Sequence, residues 1–170
     1  MEVNVMRRPK VEKVVVNMGV GESGEILEKS ERLLQQLTKQ KPVRTRAKRT
    51  NRDFGIRKGE PIGVKVTLRR KAASDFLKRA LEAVEKTLHK RNFDGKGNFA
   101  FGVKEHIDLP GVKYDPKVGI FGMDVAVSLE RSGYRIKKRK KERRPIHHRD
   151  YISREEAILY VEETFGVRIV

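Results

Sequence analysis

The chain has 170 residues, enough for one domain with a single core, and 37% of them are hydrophobic, so a packed globule is expected. Forty Lys and Arg stand against 23 Asp and Glu, a formal charge of +17, which opposes compaction and favours polyanionic partners. Cysteine is absent, which excludes disulfides and thiol chemistry, and no stretch approaches the roughly 20 apolar residues of a membrane span. The start, Met1 to Arg8, has no apolar run of signal-peptide length, so a cytosolic protein with no membrane partner is expected.

In chain order, Lys13 to Met18 reads as a strand, with β-branched Val14, Val15 and Val16 followed by Gly19 and Gly21. A helix follows from about Glu25 to Thr38, where Ile26, Leu27, Leu33, Leu34 and Leu37 form an apolar stripe and Ser23 is a candidate N-cap. Pro42 stops it, a strand begins at Val43, and Arg49 to Gly55 reads as a long basic loop. Ile62 to Arg69 alternates, with Val64, Val66 and Leu68 on one face and Lys65, Thr67 and Arg69 on the other. A second helix is predicted from about Ala72 to Arg91, with Leu77, Ala80, Leu81, Val84 and Leu88 buried. Phe99 to Val103 and Met123 to Leu129 alternate as strands. Ser153 and Glu156 fit a capping box that opens a helix carrying Ala157, Ile158, Val161 and Phe165, ended by Gly166 and acidic outside. Two or more strands separate successive helices, and the strand faces alternate. Both features point to an α+β fold with a mostly antiparallel sheet packed on helices, not a doubly wound parallel one.

Several motifs suggest chemistry. Gly19-Val20-Gly21-Glu22-Ser23-Gly24 spells a dinucleotide fingerprint between a strand and a helix. The acid it wants about 20 residues on is replaced by Lys39-Gln40-Lys41-Pro42, and Glu22 would repel a pyrophosphate, so a tight glycine turn is the favoured reading. Gly97 to Val103 resembles an RNA-stacking strand, but Phe99 and Phe101 share a face that a chain so poor in aromatics needs for its core. His147 and His148 are adjacent, lack further ligands and sit among Arg, so no metal site is expected. No catalytic set stands out. The informative features are two basic segments: Lys39 to Lys58, with nine Lys or Arg against Asp53, and Arg131 to Arg149, with ten against Glu142. Such runs repel themselves unless an anion neutralises them, and the Arg fork suits phosphate. They predict contact with RNA or DNA, through Lys137, Lys138, Arg139, Lys140, Lys141, Arg143 and Arg144 in the second segment.

Blocks in order along the chain then resemble a known family. Asn17-Met18-Gly19-Val20-Gly21, Gln40-Lys41-Pro42, Thr45-Arg46-Ala47-Lys48 with Phe54-Gly55-Ile56-Arg57-Lys58-Gly59, Pro61 to Arg69, Phe93 to Asn98 with Gly102 to Ile107, and Gly122-Met123-Asp124-Val125 resemble the L-five family of large-subunit ribosomal proteins. The resemblance covers about residues 10 to 130. The basic stretch and acidic helix of residues 131 to 170 look like its archaeal and eukaryotic branch. It implies a single α+β ribosomal-protein domain without catalysis or cofactor, residing in the cytoplasmic ribosome. It implies binding of 5S rRNA in the central protuberance, with contacts to 23S-type rRNA, P-site tRNA, L-eighteen-type proteins beside 5S rRNA, and an S-thirteen-type small-subunit protein at an intersubunit bridge. By motif, the 5S contact falls on Asn17, Gln40 and Thr67, with Lys65 and Arg69 on the same strand face as Thr67. The tRNA contact falls on the loop carrying Arg49, Arg52, Phe54 and Arg57, whose self-repelling charge predicts disorder in the free protein. The rival readings are a nucleotide-dependent enzyme using the glycine turn, and a free-standing RNA chaperone.

Overall fold

The computed structural model describes residues 5–116 and 118–170. Five strands form one antiparallel sheet: β1 (Lys10–Gly19), β2 (Val43–Arg46), β3 (Pro61–Leu68), β5 (Asn98–Val103) and β6 (Met123–Glu130), in the order β2-β3-β1-β6-β5. Helices α1 (Glu25–Thr38) and α2 (Arg70–Ala83) pack on one face of it, and α3 (Arg154–Phe165) joins the same core. The short strands β4 (Thr87–Leu88) and β7 (Arg168–Ile169) pair in parallel and tie the C-terminal end to the end of α2.

The period-two alternation read in the sequence is what splits the sheet into two unlike faces. Val14, Val16 and Met18 of β1, Val64, Val66 and Leu68 of β3, Phe99, Phe101 and Val103 of β5 and Val125, Val127 and Leu129 of β6 are all buried against the helices. Phe99 stacks at 5.1 Å from Phe93 and 6.4 Å from Phe101, so these rings are core and are not available to bases. The helices supply Leu27, Leu34 and Leu37 from α1 and Phe76, Leu77, Ala80 and Leu81 from α2. Each large apolar side chain removed from water in this way contributes roughly 1.5–3 kcal/mol.

Two expectations are corrected. Ser23 does not cap α1: the N-cap is Gly24, at φ 106°, and the Ser23 hydroxyl instead donates to Glu60 Oε1 at 2.7 Å. The second helix stops at Ala83, not near Arg91. There the Lys86 amide returns to the Leu81 carbonyl at 2.8 Å, Glu85 and Lys86 take left-handed φ values of 54° and 52°, and the chain turns into β4. Leu88 is buried as expected, but from a strand paired with Ile169. Arg49 to Gly55, expected as a long basic loop, lies between β2 and β3 in a loop over residues 47–60 that doubles back as a hairpin arm, in which Asn51 and Ile56 exchange backbone hydrogen bonds of 2.8 and 2.9 Å. Its base is closed by the Ala47 amide on Glu60 and the Gly59 amide on Ala47.

The capping box is present as read. The Ser153 hydroxyl accepts from the Glu156 amide, the Glu156 carboxylate accepts from the Ser153 amide, and Gly166 ends α3 in the left-handed conformation.

Candidate nucleic-acid interface

The face of the sheet turned away from α1 and α2 carries no covering element among the described residues. Register places Val43, Lys65, Asn17, Asp124 and Gly102 in one row across it, from β2 to β5. The next row is Thr67, Val15, Ala126 and Ala100. Lys65 and Thr67 are exposed and Asn17 is half-buried. None of these three side chains makes a hydrogen bond or ion pair among the described residues. Three polar groups on adjacent strands are therefore left to solvent or to a ligand, on a surface made flat by Gly19, Gly63, Ala100 and Ala126. Gly63 is required there: a Cβ would lie 2.8 Å from the Met18 carbonyl and 2.9 Å from Thr45 Oγ1.

Gln40 is not in these rows. It lies three residues before β2 and lines a cleft with Leu68, Phe76 and Arg79, at the β2–β3 edge. Arg69 stands at the end of β3 and turns its guanidinium to Glu12 at 3.5 Å.

Glu12 is a residue that sequence reasoning missed. It sits at a β-bulge, where the pairing of β1 with β6 slips between Val11 and Lys13. Its side chain is 7% exposed and meets Lys138 Nζ at 2.6 Å, Arg69 at 3.5 Å and Lys13 at 4.0 Å. Burial pushes its carboxyl up, but Lys138, with Lys13 and Arg69, outweighs this and holds it below the usual carboxylate value. Lys138 also reaches Glu130 at 3.1 Å; burial lowers its ammonium, and the two carboxylates more than reverse this and raise it. No pattern in the sequence marks a lone acid between basic residues as an anchor; the bulge that buries it is set by pairing with β6.

That anchor sorts the second basic segment. Lys138 is bound to the sheet, Lys137 lies over the Tyr134 ring at 4.7 Å, and Arg139 turns to Glu142. Lys140, Lys141, Arg143 and Arg144 are exposed, with no ion pair among the described residues. Arg131 is the segment's hinge with α3: it meets both Glu156 carboxylate oxygens at 2.6 Å and the Asp150 carbonyl at 3.3 Å, while Tyr134 donates to that same carbonyl at 2.7 Å.

The hairpin arm carries Arg49, Arg52 and Arg57 along an exposed rim, and Phe54 at its turn is 75% exposed. Glu60 fastens the arm's base by accepting from the Arg57 amide at 2.9 Å and from Ser23. These hydrogen bonds, led by that from Arg57, keep its carboxyl below the usual value.

The glycine turn binds protein, not phosphate: the Val20 and Gly21 amides both donate to the Ile62 carbonyl, at 3.1 and 2.9 Å, so the donors a pyrophosphate would need are taken. His147 Nδ1 accepts from the Arg149 amide and His148 packs on Tyr151. Among the described residues no group of three metal-ligating side chains assembles, and no helix is long and apolar enough to cross a membrane.

Comparison with known proteins agrees with this picture. The family model described as "Ribosomal protein L5" matches residues 4–57, and a second model, for the C-terminus of the same ribosomal protein family, matches residues 61–158. The large ribosomal subunit protein uL5 of Sulfolobus acidocaldarius is 53% identical over 167 residues, covering 98% of this chain and 94% of the relative. The uL5 of Pyrobaculum aerophilum is 55% identical over 164 residues, covering 96% and 92%. That of Methanococcus maripaludis is 52% identical over 168 residues, covering 97% and 93%. With both family models matched in order and relatives similar over nearly their whole length, the chain belongs to the ribosomal protein L5 family.

Proposed function

We propose that the protein, a non-enzymatic constituent of the large subunit of the cytoplasmic ribosome, holds 5S rRNA on the open face of its sheet. The observation that carries this reading is the flat face on which Asn17, Lys65 and Thr67 stand together without protein partners among the described residues, on a chain of charge +17. Neutral polar groups there can read sugar and base edges, while Lys and Arg hold phosphates. Gln40 and Arg69 extend the contact from the sheet's edge.

The hairpin arm is the part suited to P-site tRNA. It projects from the β2–β3 end with Arg49, Arg52 and Arg57 for phosphates and Phe54 for stacking. The exposed quartet Lys140, Lys141, Arg143 and Arg144 suits the backbone of 23S-type rRNA. The L-eighteen-type and S-thirteen-type proteins are further partners that family membership suggests.

Thr67→Val tests the face directly, because it keeps the side chain's shape and removes only the hydroxyl. Affinity for 5S rRNA is expected to fall by about 1 kcal/mol or more, roughly fivefold, with the melting temperature unchanged. An unchanged affinity would remove Thr67 from the interface. Against the enzyme reading, nucleotides should leave the melting temperature unmoved, where a true site at 100-fold excess over Kd adds about 2.7 kcal/mol.

A further inference from the structure

The loop that carries the exposed cations Lys140, Lys141, Arg143 and Arg144 is closed on itself. The Arg144 amide reaches the Ile136 carbonyl at 3.4 Å, the Lys138 and Arg139 amides both donate to the Arg135 carbonyl at 2.9 Å, and the Arg139 guanidinium donates to the Glu142 carbonyl at 2.9 Å. Among the described residues, one side chain of residues 136–144 is hydrogen-bonded or ion-paired to the sheet, and it is Lys138. Its ammonium stands 2.6 Å from Glu12 of β1 and 3.1 Å from Glu130 of β6. In polar contacts, the place of the quartet relative to the sheet is set by one cation and two carboxylates.

Both carboxylates lie at one end of the open face. Val14 and Leu68 are the last pair of β1 with β3, and the alternation that turns Lys65 and Thr67 outward sends Arg69 to the same side just beyond it. Glu12 occupies the β-bulge at that end, and a bulge re-aims the side chain it carries. From there a single oxygen, Glu12 Oε1, meets Lys138 at 2.6 Å, Arg69 at 3.5 Å and Lys13 at 4.0 Å. The acid is covered, with 7% of its side chain exposed, while Arg69 at 56% and Lys138 at 42% stay open to solvent. Glu12 thus joins the open face, through Arg69, to the basic loop, through Lys138.

We propose that Glu12 is a positioning residue for RNA binding: its carboxylate fastens the loop of residues 136–144 to the end of the open face, so that Arg69 and the exposed quartet form one phosphate-binding border. Net charge alone predicts the opposite of this role. Removing an acid from a chain of charge +17 should tighten RNA binding, since phosphates within about 8 Å, the Debye length at physiological salt, feel its repulsion. Positioning predicts weaker binding, because a released loop has to be ordered again each time RNA binds. The two views differ in sign, so one substitution separates them. The proposal rests on the reading of this face as an RNA surface and adds the residue that sets its border.

The test measures the affinity of the full-length protein for 5S rRNA, and its salt slope, in wild type, Glu12→Gln, Lys138→Met and the double variant, at a temperature where circular dichroism shows all four folded. Glu12→Gln is expected to weaken binding about fivefold and to lower the slope by about 2, as phosphate contacts of the quartet are lost although the net charge rises. Lys138→Met should weaken it similarly, and the double variant should bind no more weakly than Glu12→Gln, because both changes cut the same link. A purely structural Glu12 would leave the salt slope of the folded protein unmoved. Binding by Glu12→Gln that is unchanged or tighter would overturn the proposal. So would losses that add in the double variant, which would make Lys138 an RNA contact in its own right. Wild type keeps the two readings apart: a preference for 5S rRNA over an unrelated structured RNA that Glu12→Gln leaves intact, in affinity and slope, refutes only the positioning role, and no preference in wild type refutes the reading beneath it.

Discussion

His106 is 1% exposed, and its Nδ1 accepts the Phe121 amide at 3.3 Å. Burial pushes its imidazolium down, outweighing the opposite pull of that hydrogen bond and of Glu105 and Asp108. The folded state therefore prefers the neutral ring. Above the ordinary His value of 6.5 this costs nothing; as pH falls through that value, the unfolded chain takes up a proton that the folded one resists, and stability is lost. His106→Gln, which can still accept from Phe121, is expected to flatten the fall in melting temperature between about pH 7 and 5. Glu12 acts in the other range. Its folded carboxyl lies below 4.5, so its contribution is complete above that value and is lost as pH drops beneath it. Glu12→Gln should destabilise the protein at neutral pH by about 2 kcal/mol, because Lys138 loses its closest counter-charge, and should do so far less at pH 3; equal effects at both would remove the ion pair from the account.

At the scale of elements, the strands of the five-stranded sheet and α1 were legible because alternation and helical spacing report directly which side of each is buried, whereas the short pair β4 and β7 was not. Val64, Val66 and Leu68 against Lys65 and Thr67 is the plainest case. The end of α2 was not legible, since Val84 and Leu88 continue the helical stripe; what stops the helix is the pairing of Leu88 with Ile169, some 80 residues away in sequence. Ser23 failed as a cap for a similar reason: Glu60, 37 residues on, competes for its hydroxyl. The candidate site divides the same way. Thr67 and Lys65 follow from one strand's alternation, whereas Asn17 beside them needs the register of β1 on β3, and Glu12 needs a bulge. Gly97 shows how one position joins elements. It sits at φ 75°, and a Cβ there would lie 2.7 Å from Ile152 Cβ, in the segment that leads into α3. Gly97→Ala should cost about 1–3 kcal/mol in urea unfolding, from backbone strain and the displaced Ile152. The hairpin arm carries its own prediction: hydrogen exchange should be slow at the Ala47 and Gly59 amides, which close its base, and fast at Arg52 and Phe54 in the turn.

Over the whole molecule, the sheet divides labour between its faces. One is committed to a core of Val, Leu and Phe, and the other is left open, small-featured and bordered by cations. The charge of +17 would bind any RNA, and its share of the affinity must fall as salt rises. On the proposed reading, contacts from the uncharged Asn17 and Thr67 would carry no such dependence. Charge removal in the basic quartet, for example Arg143→Ala with Arg144→Ala, should lower the salt slope by about 2 without changing the preference between RNAs. The most direct test of the central claim is a titration of the protein with 5S rRNA and with a length-matched unrelated structured RNA across a series of salt concentrations. The account predicts a preference for 5S rRNA that persists as salt rises, carried by the open face of the sheet. Equal affinities that collapse together with salt would contradict it, and would leave net charge as the whole of the interaction.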